Sequence, residues 1–455
     1  MTDSTSINLS NVQSIVLRGY RVLEAHPYQH YAYLRIDDPV QARRWLKSIA
    51  ASVTSCAAFD EGKAPFVLAV AFTNGGLKKL GAPQEAVWPE SFVQGMAARA
   101  DRLGDDGASA PSRWAGGLGK SDVDVLVSVA GATPQSIEAG IAHVEGSLSA
   151  AVVRVGRDDA AHIPDKPAGT EHFGFVDGIG QPYVSGSGLE PWPGEGVPQK
   201  HGKWTGVQPG EFVLGYATES GSNPRSVHAF QKDGSYFALR KLAERVAEFR
   251  EYLASSAKVS GLSEEMVAAK MVGRWRSGAP LVLSKHDDDD ALAADPSRNN
   301  DFRYEHDAKG HACPFGAHIR RANPRDDPTG PTAVEVRSHR IIRRALPYGP
   351  WLPEGTRDDV DRGVMFGVIN ADIENQFEYV QRNWMNASIS SRALSIEADK
   401  DPLIGNHDGS GKLLIPGVTK TSFCWALPRF VETRGGEYFF VPSLSALSEL
   451  AGGDT

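Results

Sequence analysis

The first third of the chain alternates two hydrophobic periods in a fixed order, and that order restricts the fold more than any other feature. Tyr31-Ala-Tyr-Leu-Arg-Ile36 alternates every second residue, the pattern of a half-buried strand. Asp38-Pro39 then supplies a cap and a first-turn proline, and Ala42, Trp45, Leu46 and Ile49 recur at helical spacing. Phe66 to Phe72 reads as a buried strand, broken by Asn74-Gly75-Gly76, with a short helix through Leu80. Val123 to Val129 alternates again. Thr133-Pro134 opens a second helix with Ile137, Ile141, Val144 and Leu148 along one side, and Ala151 to Val155 closes the set as a strand.

Leaving the short helix aside, the order is β-α-β-β-α-β, the split unit of a ferredoxin-like sandwich. It returns with longer insertions: Phe212 to Tyr216 and Ser235 to Leu239 read as strands, and Arg240 to Ser255 as a helix. Val364 to Ile369 is a further strand, Ile373, Phe377, Val380 and Trp384 mark one helix face, and Glu437 to Val441 is the last strand. A length of 455 residues also exceeds what one simple core accommodates. The expectation is an α+β chain of two ferredoxin-like sandwich domains, antiparallel sheets with peripheral helices, over residues 1–205 and 206–455.

Hydrophobic residues at 41% and charged residues at 23% exclude general disorder, and a net charge of −8 argues against a large nucleic-acid surface. Cys56, Cys313 and Cys424 lie too far apart for a disulfide framework or a four-thiolate metal site, which suits a reducing compartment. Met1 to Leu17 lacks the basic and apolar regions of a secretion signal, and no apolar run approaches the roughly 18–20 residues of a membrane span. No membrane partner and a cytoplasmic location are therefore expected. Three stretches read as irregular: Ser185 to Lys203, the acidic run Asp287 to Asp290 (a solvated loop rather than a cation site), and Asp401 to Lys412. Long loops inside a compact protein often cover a pocket.

The densest polar constellation runs from His306 through His311, Cys313 and His318 to Arg320-Arg321 and Arg325. Imidazole binds iron, zinc and copper, so a metal reading is open, although a structural zinc site normally uses four ligands at tight spacing. His318 stands out because Ile319 and two arginines follow it. A buried imidazole beside two guanidiniums suits a pocket for an iron porphyrin with carboxylate tails. A second motif, Glu171-His-Phe-Gly174-Phe-Val-Asp177-Gly178-Ile-Gly180-Gln-Pro182, reads either as a turn or as backbone pressed against a flat cofactor with the carboxylate aimed at its metal. A third, His339-Arg-Ile-Ile-Arg343-Arg344-Ala345-Leu-Pro-Tyr348-Gly349, sets paired arginines between apolar residues, where at least one is drawn inward.

Together these segments resemble the dye-decolourising peroxidase family over nearly the whole chain. Gly174, Asp177 and Gly178 meet its Gly-x-x-Asp-Gly signature, Cys313 to Arg320 its proximal segment, and Ile341 to Gly349 its distal arginine segment. The resemblance implies one haem b per chain, with His318 as axial ligand, Asp177 as acid/base group and Arg343 as its charged companion. It further implies that Gly178, Ile179, Val364 and Phe366 contact the cofactor and that Arg320 binds a propionate. Ala345 stands where some relatives carry an asparagine, so the chemistry leans on Asp177 and Arg343 alone. The implied partners are hydrogen peroxide and small organic reductants, with a monomer or homodimer as the assembly.

An axial imidazole usually donates its other N–H to a carboxylate or carbonyl, and Asp372, Glu374 and Glu378 are candidates for that role. Tyr304, Trp275, Tyr348 and Trp384 are conceivable electron stations, with ordinary packing the simpler reading. The competing functions are a haem-binding or haem-handling protein without turnover and a zinc module over His306 to His318.

Overall fold

A computed structural model describes residues 6–19, 25–120, 122–198, 204–221, 227–328, 330–391 and 396–452. Four strands form the first half: β1 (Tyr28–Ile36), β2 (Val67–Phe72), β3 (Val125–Gly131) and β4 (Val152–Ala161). Another four form the second: β5 (Ser235–Glu244), β6 (Ile342–Tyr348), β7 (Gly363–Asn370) and β8 (Val431–Val441). Their order in one sheet is β4-β1-β3-β2-β8-β5-β7-β6, antiparallel throughout. Each half therefore carries its strands in the order fourth, first, third, second, so the same unit is used twice. Where the halves join, the ladder records a single pair, Phe72 with Phe440, and β4 packs against β6 at the other end. The fold is an α+β barrel.

Alternation along the strands divides the core. Tyr31, Tyr33, Leu126, Phe237, Leu239, Met365 and Phe439 meet in one cluster inside the barrel. Their neighbours Leu34, Val70, Val127, Ala238 and Phe440 face outward into another. In the first half that outer face is covered by α1 (Pro39–Ala50) and α2 (Pro134–Ser147), through Trp45, Leu46, Ile137 and Val144. Both helices begin as their sequences dictate: Asp38 accepts from the backbone N–H of Val40 and Gln41, and Thr133 and Ser136 form a reciprocal cap.

The second half departs from expectation in four places. Phe212 to Tyr216 is no strand, because Pro209 starts a tight 3₁₀ turn (Pro209–Glu211) that draws the N–H groups of Phe212 and Val213 back to its own carbonyl. Its apolar residues cap the barrel core instead. The true second strand of this half is β6, disguised by Arg343-Arg344. The helix placed at Arg240 starts only at α3 (Val246–Ser260), since residues up to Glu244 continue β5 against β7 and β8. The face marked by Phe377 and Val380 is one short α turn, Phe377–Tyr379, followed by a π turn over Val380–Met385. Among the irregular stretches, residues 199–203 lie outside the described part, and Asp287 to Asp290 is a surface loop in which Asp288 accepts from Ser277 and Asp289 caps a helix turn.

Candidate active site

In the second half the outward sheet face is not sealed by helices but opens on a cavity of about 260 Å³. Leu242 from β5, with Val364 and Phe366 from β7, makes its floor, and Ile179, Phe173, Val380 and Leu403 close over it. A mostly apolar wall interrupted by a few aimed polar groups is what a large flat ligand requires.

His318 opens a short helix, α4 (His318–Ala322), and lines this cavity. Its Nδ1 lies 2.9 Å from Asp401 Oδ2. Asp401 is fully buried, and its Oδ1 accepts from the N–H groups of Leu403 and Ile404 at 2.9 Å each, so the carboxylate cannot swing away. The proton between the two belongs on Nδ1, because an ionised carboxylate only accepts. Burial alone would raise Asp401; the charge and hydrogen bond of His318 outweigh it and hold the carboxyl below its ordinary value. Conversely, burial lowers His318 but the Asp401 carboxylate more than offsets it, raising the imidazole. No hydrogen-bond partner among the described residues engages Nε2. The expected partners of His318 are elsewhere: Glu378 pairs with Arg99 and Tyr438, Glu374 accepts from the N–H of Ser91, and Asp372 caps Asn375.

On the wall of the same cavity, Asp177 Oδ1 sits 3.1 Å from Arg343 Nη1. Asp177 belongs to the loop that follows β4, whereas Arg343 lies on the edge strand β6, so the pair joins the two halves. The same loop fixes the arginine. Gln181 accepts from the Arg343 N–H at 3.0 Å and donates to its carbonyl at 3.2 Å, taking the place of a neighbouring strand. Burial pushes the Asp177 carboxyl up, but the Arg343 charge and the Gly178 N–H prevail and leave it below the usual aspartate value. Besides His318, the cavity thus presents an ionised carboxylate beside a guanidinium.

Residues 11–164 match the family model described as the DyP dimeric alpha+beta barrel domain. A dye-decolorizing peroxidase of Mycena epipterygia is 32% identical over 98% of this chain and 87% of its own length. Among solved structures, an ancestral D-type dye-decolorizing peroxidase superposes with a TM-score of 0.84 at 30% identity, covering 98% of this chain and 99% of that one. A dye-decolorizing peroxidase in complex with 2,6-dimethoxyphenol gives a TM-score of 0.82 at 29% identity, over 98% and 100%. The chain belongs to the dye-decolorizing peroxidase family. It is a haem peroxidase, and the family implies a haem cofactor.

In this peroxidase Ile179, Val364 and Phe366 lie on the cavity wall, while Gly178 stands behind it and turns its N–H to Asp177. Arg320, expected at a propionate, does not line this cavity. Its guanidinium is buried away from the cavity, between Asp327 at 2.7 Å and Asp307 at 3.3 Å, stacked on Phe315 and Tyr304. The guanidiniums on the wall belong to Arg240, Arg274, Arg325, Arg343 and Arg429. Nor do the histidines of the His306 to His318 stretch converge: the His306 side chain is 74% exposed, and no described group of three or more His, Cys, Asp or Glu could hold a metal ion. Tyr304, Trp275, Tyr348 and Trp384 are all buried; the exposed tryptophans are Trp425 and Trp192. No described helix is long and apolar enough to cross a membrane.

Proposed function

We propose that this peroxidase reduces hydrogen peroxide at one haem b per chain, held by His318, and oxidises bulky organic donors such as dyes and phenolics. The observation that carries the reading is that a carboxylate-anchored imidazole and the Asp177–Arg343 pair line one mostly apolar cavity. The donor set fits a haem. Nε2 of His318 is the one ring nitrogen left for a metal. Arg274 is buried with only the carbonyls of Gly278 and Asn299 and the amide of Asn300 as hydrogen-bond acceptors among the described residues, and Arg325 has only neutral acceptors too. A buried or half-buried cation without an anionic partner is costly, and propionate carboxylates would offset that cost. Ile179, Val364 and Phe366 would hold the porphyrin faces, and Gly178 would set the loop behind them.

Bound there, haem supplies the redox chemistry that breaks the oxygen–oxygen bond and passes its oxidising power to a donor. The protein supplies the rest. Asp177, ionised at working pH, takes a proton from one peroxide oxygen and returns it to the other so that water leaves. Arg343 stabilises the charge that develops on the departing oxygen and holds Asp177 in place. Asp401 keeps His318 in one tautomer and makes it a stronger electron donor. The three free, buried cysteines support a reducing, cytoplasmic setting, with a monomer or homodimer as the working unit. The test is the absorption spectrum of the purified, haem-supplied protein before and after one equivalent of peroxide. A haem spectrum that peroxide leaves unchanged would favour a carrier without turnover and overturn the reading.

A further inference from the structure

Two glutamates stand on the cavity wall without a role in the scheme above. Glu171 leads the loop that carries Asp177, and Glu244 ends β5. Their carboxyls are hydrogen-bonded to each other. Glu171 also accepts from the N–H groups of Phe173 and Phe175 at 2.8 Å each, and Glu244 from that of His172 at 3.1 Å. Two carboxylates in hydrogen-bond contact must share a proton, since neither can donate when both are ionised. The backbone donors all but fix its place: Glu171, with two N–H bonds, is the natural anion, and Glu244 is the donor.

Glu171 also borders a second cavity of about 120 Å³, inside the barrel mouth, which it shares with Asp177 and Arg343 and which His26, Gln29 and His162 line. Glu171 therefore reaches both cavities, whereas Glu244 lines only the larger one. We propose that Glu171 and Glu244 hold one exchangeable proton and pass it toward Asp177 during turnover. They act as positioning residues that supply protons through it. The need is stoichiometric: each electron used to turn peroxide into water is matched by one proton. When a donor gives up only electrons at the outside, that proton must come from within the protein. Glu244 then loses its proton through Glu171 to the water being formed, and the pair regains one from solvent by way of the second cavity.

The surroundings suit a proton held near neutrality. Burial pushes Glu171 up to about 7 and Glu244 well above the ordinary carboxylate value, with the Asp177 charge acting in the same direction on both. Among the described residues, Arg240 on the same strand, Arg274 and Arg276 from the adjoining turn, Arg343 and Tyr348 on β6, Arg362 before β7, His172, and His318, Arg325, Arg429 and Asp105 on the cavity wall are the titratable and charged groups around the pair.

The consequence for turnover rests on the peroxidase reading, but the existence of the shared proton does not, so the test has two arms. Infrared pH titration of the full chain should reveal protonated-carboxyl absorption that persists to neutral pH. Part of it should vanish in Glu244→Gln, while the part belonging to Glu437, also pushed up to about 7, remains. In the second arm, steady-state peroxide reduction uses hexacyanoferrate(II), which delivers electrons without protons. Wild-type turnover should bend downward as the pair titrates near neutrality; Glu244→Gln and Glu171→Gln should turn over several-fold more slowly at acid pH and lose that bend. Identical carboxyl absorption in wild type and Glu244→Gln overturns the shared proton, and a bend that survives in both variants overturns its delivery.

Discussion

Asp401 Oδ2 and His318 Nδ1 are 2.9 Å apart, and the carboxylate is held in that position by two further backbone N–H bonds. Removing such a partner typically weakens metal affinity by about 10–100-fold. Asp401→Ala should therefore retain haem poorly, by about that factor, in a spectroscopic titration with haem. Asp401→Asn keeps an oxygen for Leu403 and Ile404 but loses the charge. It should bind haem with a less negative reduction potential than the wild type, measured by spectroelectrochemistry.

Asp177→Asn removes the proposed base while preserving shape, and should retain haem but lose about 10²–10⁴-fold in the reaction with peroxide. Arg343→Leu should lose about 10²–10³-fold, the usual cost of removing one charge-stabilising donor. Stopped-flow absorption after mixing with peroxide measures both. Wild-type rates in either variant would remove that residue from the assignment.

Gln181 acts through Arg343, both of whose backbone groups it hydrogen-bonds. Gln181→Ala frees the strand edge, each lost hydrogen bond costing about 1 kcal/mol. The peroxide reaction should slow by roughly tenfold or less, with haem content intact, in the same stopped-flow assay.

Acid pH should disable the reaction only late. Asp177 must be ionised to accept a proton, and Arg343 with the Gly178 N–H outweighs burial to keep its carboxyl below the ordinary 3.8. The rate constant for reaction with peroxide should therefore hold down to that region and fall below it. In Asp177→Asn this acid limb should disappear from the pH profile.

Stability should run the other way. Burial pushes Glu437 up to about 7 from 4.5, so the folded chain holds a proton there that the unfolded chain releases. The stability this provides is complete below about 4.5 and is lost as pH rises through about 7. At 1.36 kcal/mol per unit, the loss is on the order of 3 kcal/mol. Glu437→Gln keeps an acceptor for the N–H groups of Met96 and Tyr438, and should melt above the wild type at pH 8 but not at pH 4, by calorimetry.

The parts legible in the sequence are those written locally. Asp38-Pro39 and Thr133-Pro134 announce their helices because a cap acts on its own first turn. The alternation of β1 and β3 is legible because one face meets the barrel interior and the other the helices. His318, Asp177 and Arg343, the residues of the proposed assignment, stand in contiguous motifs that can be read in place. Asp401 cannot be, since its partner is 83 positions away and its own loop has no period. Strand β6 was hidden because an edge strand bordering a polar cavity can carry Arg343 and Arg344, which break the apolar run. Arg320 misled for the opposite reason: its neighbourhood fits a ligand, but two aspartates claim it first.

The Asp177–Arg343 contact spans the two copies of the sandwich unit, whereas His318 and Asp401 both come from the second. A molecule whose first copy has come loose would, on the proposed assignment, still grip its cofactor but would have lost its acid. Such a damaged chain is inert toward peroxide rather than a source of uncontrolled oxidation. The duplicated architecture thus doubles as a safety catch, released only when both copies are docked.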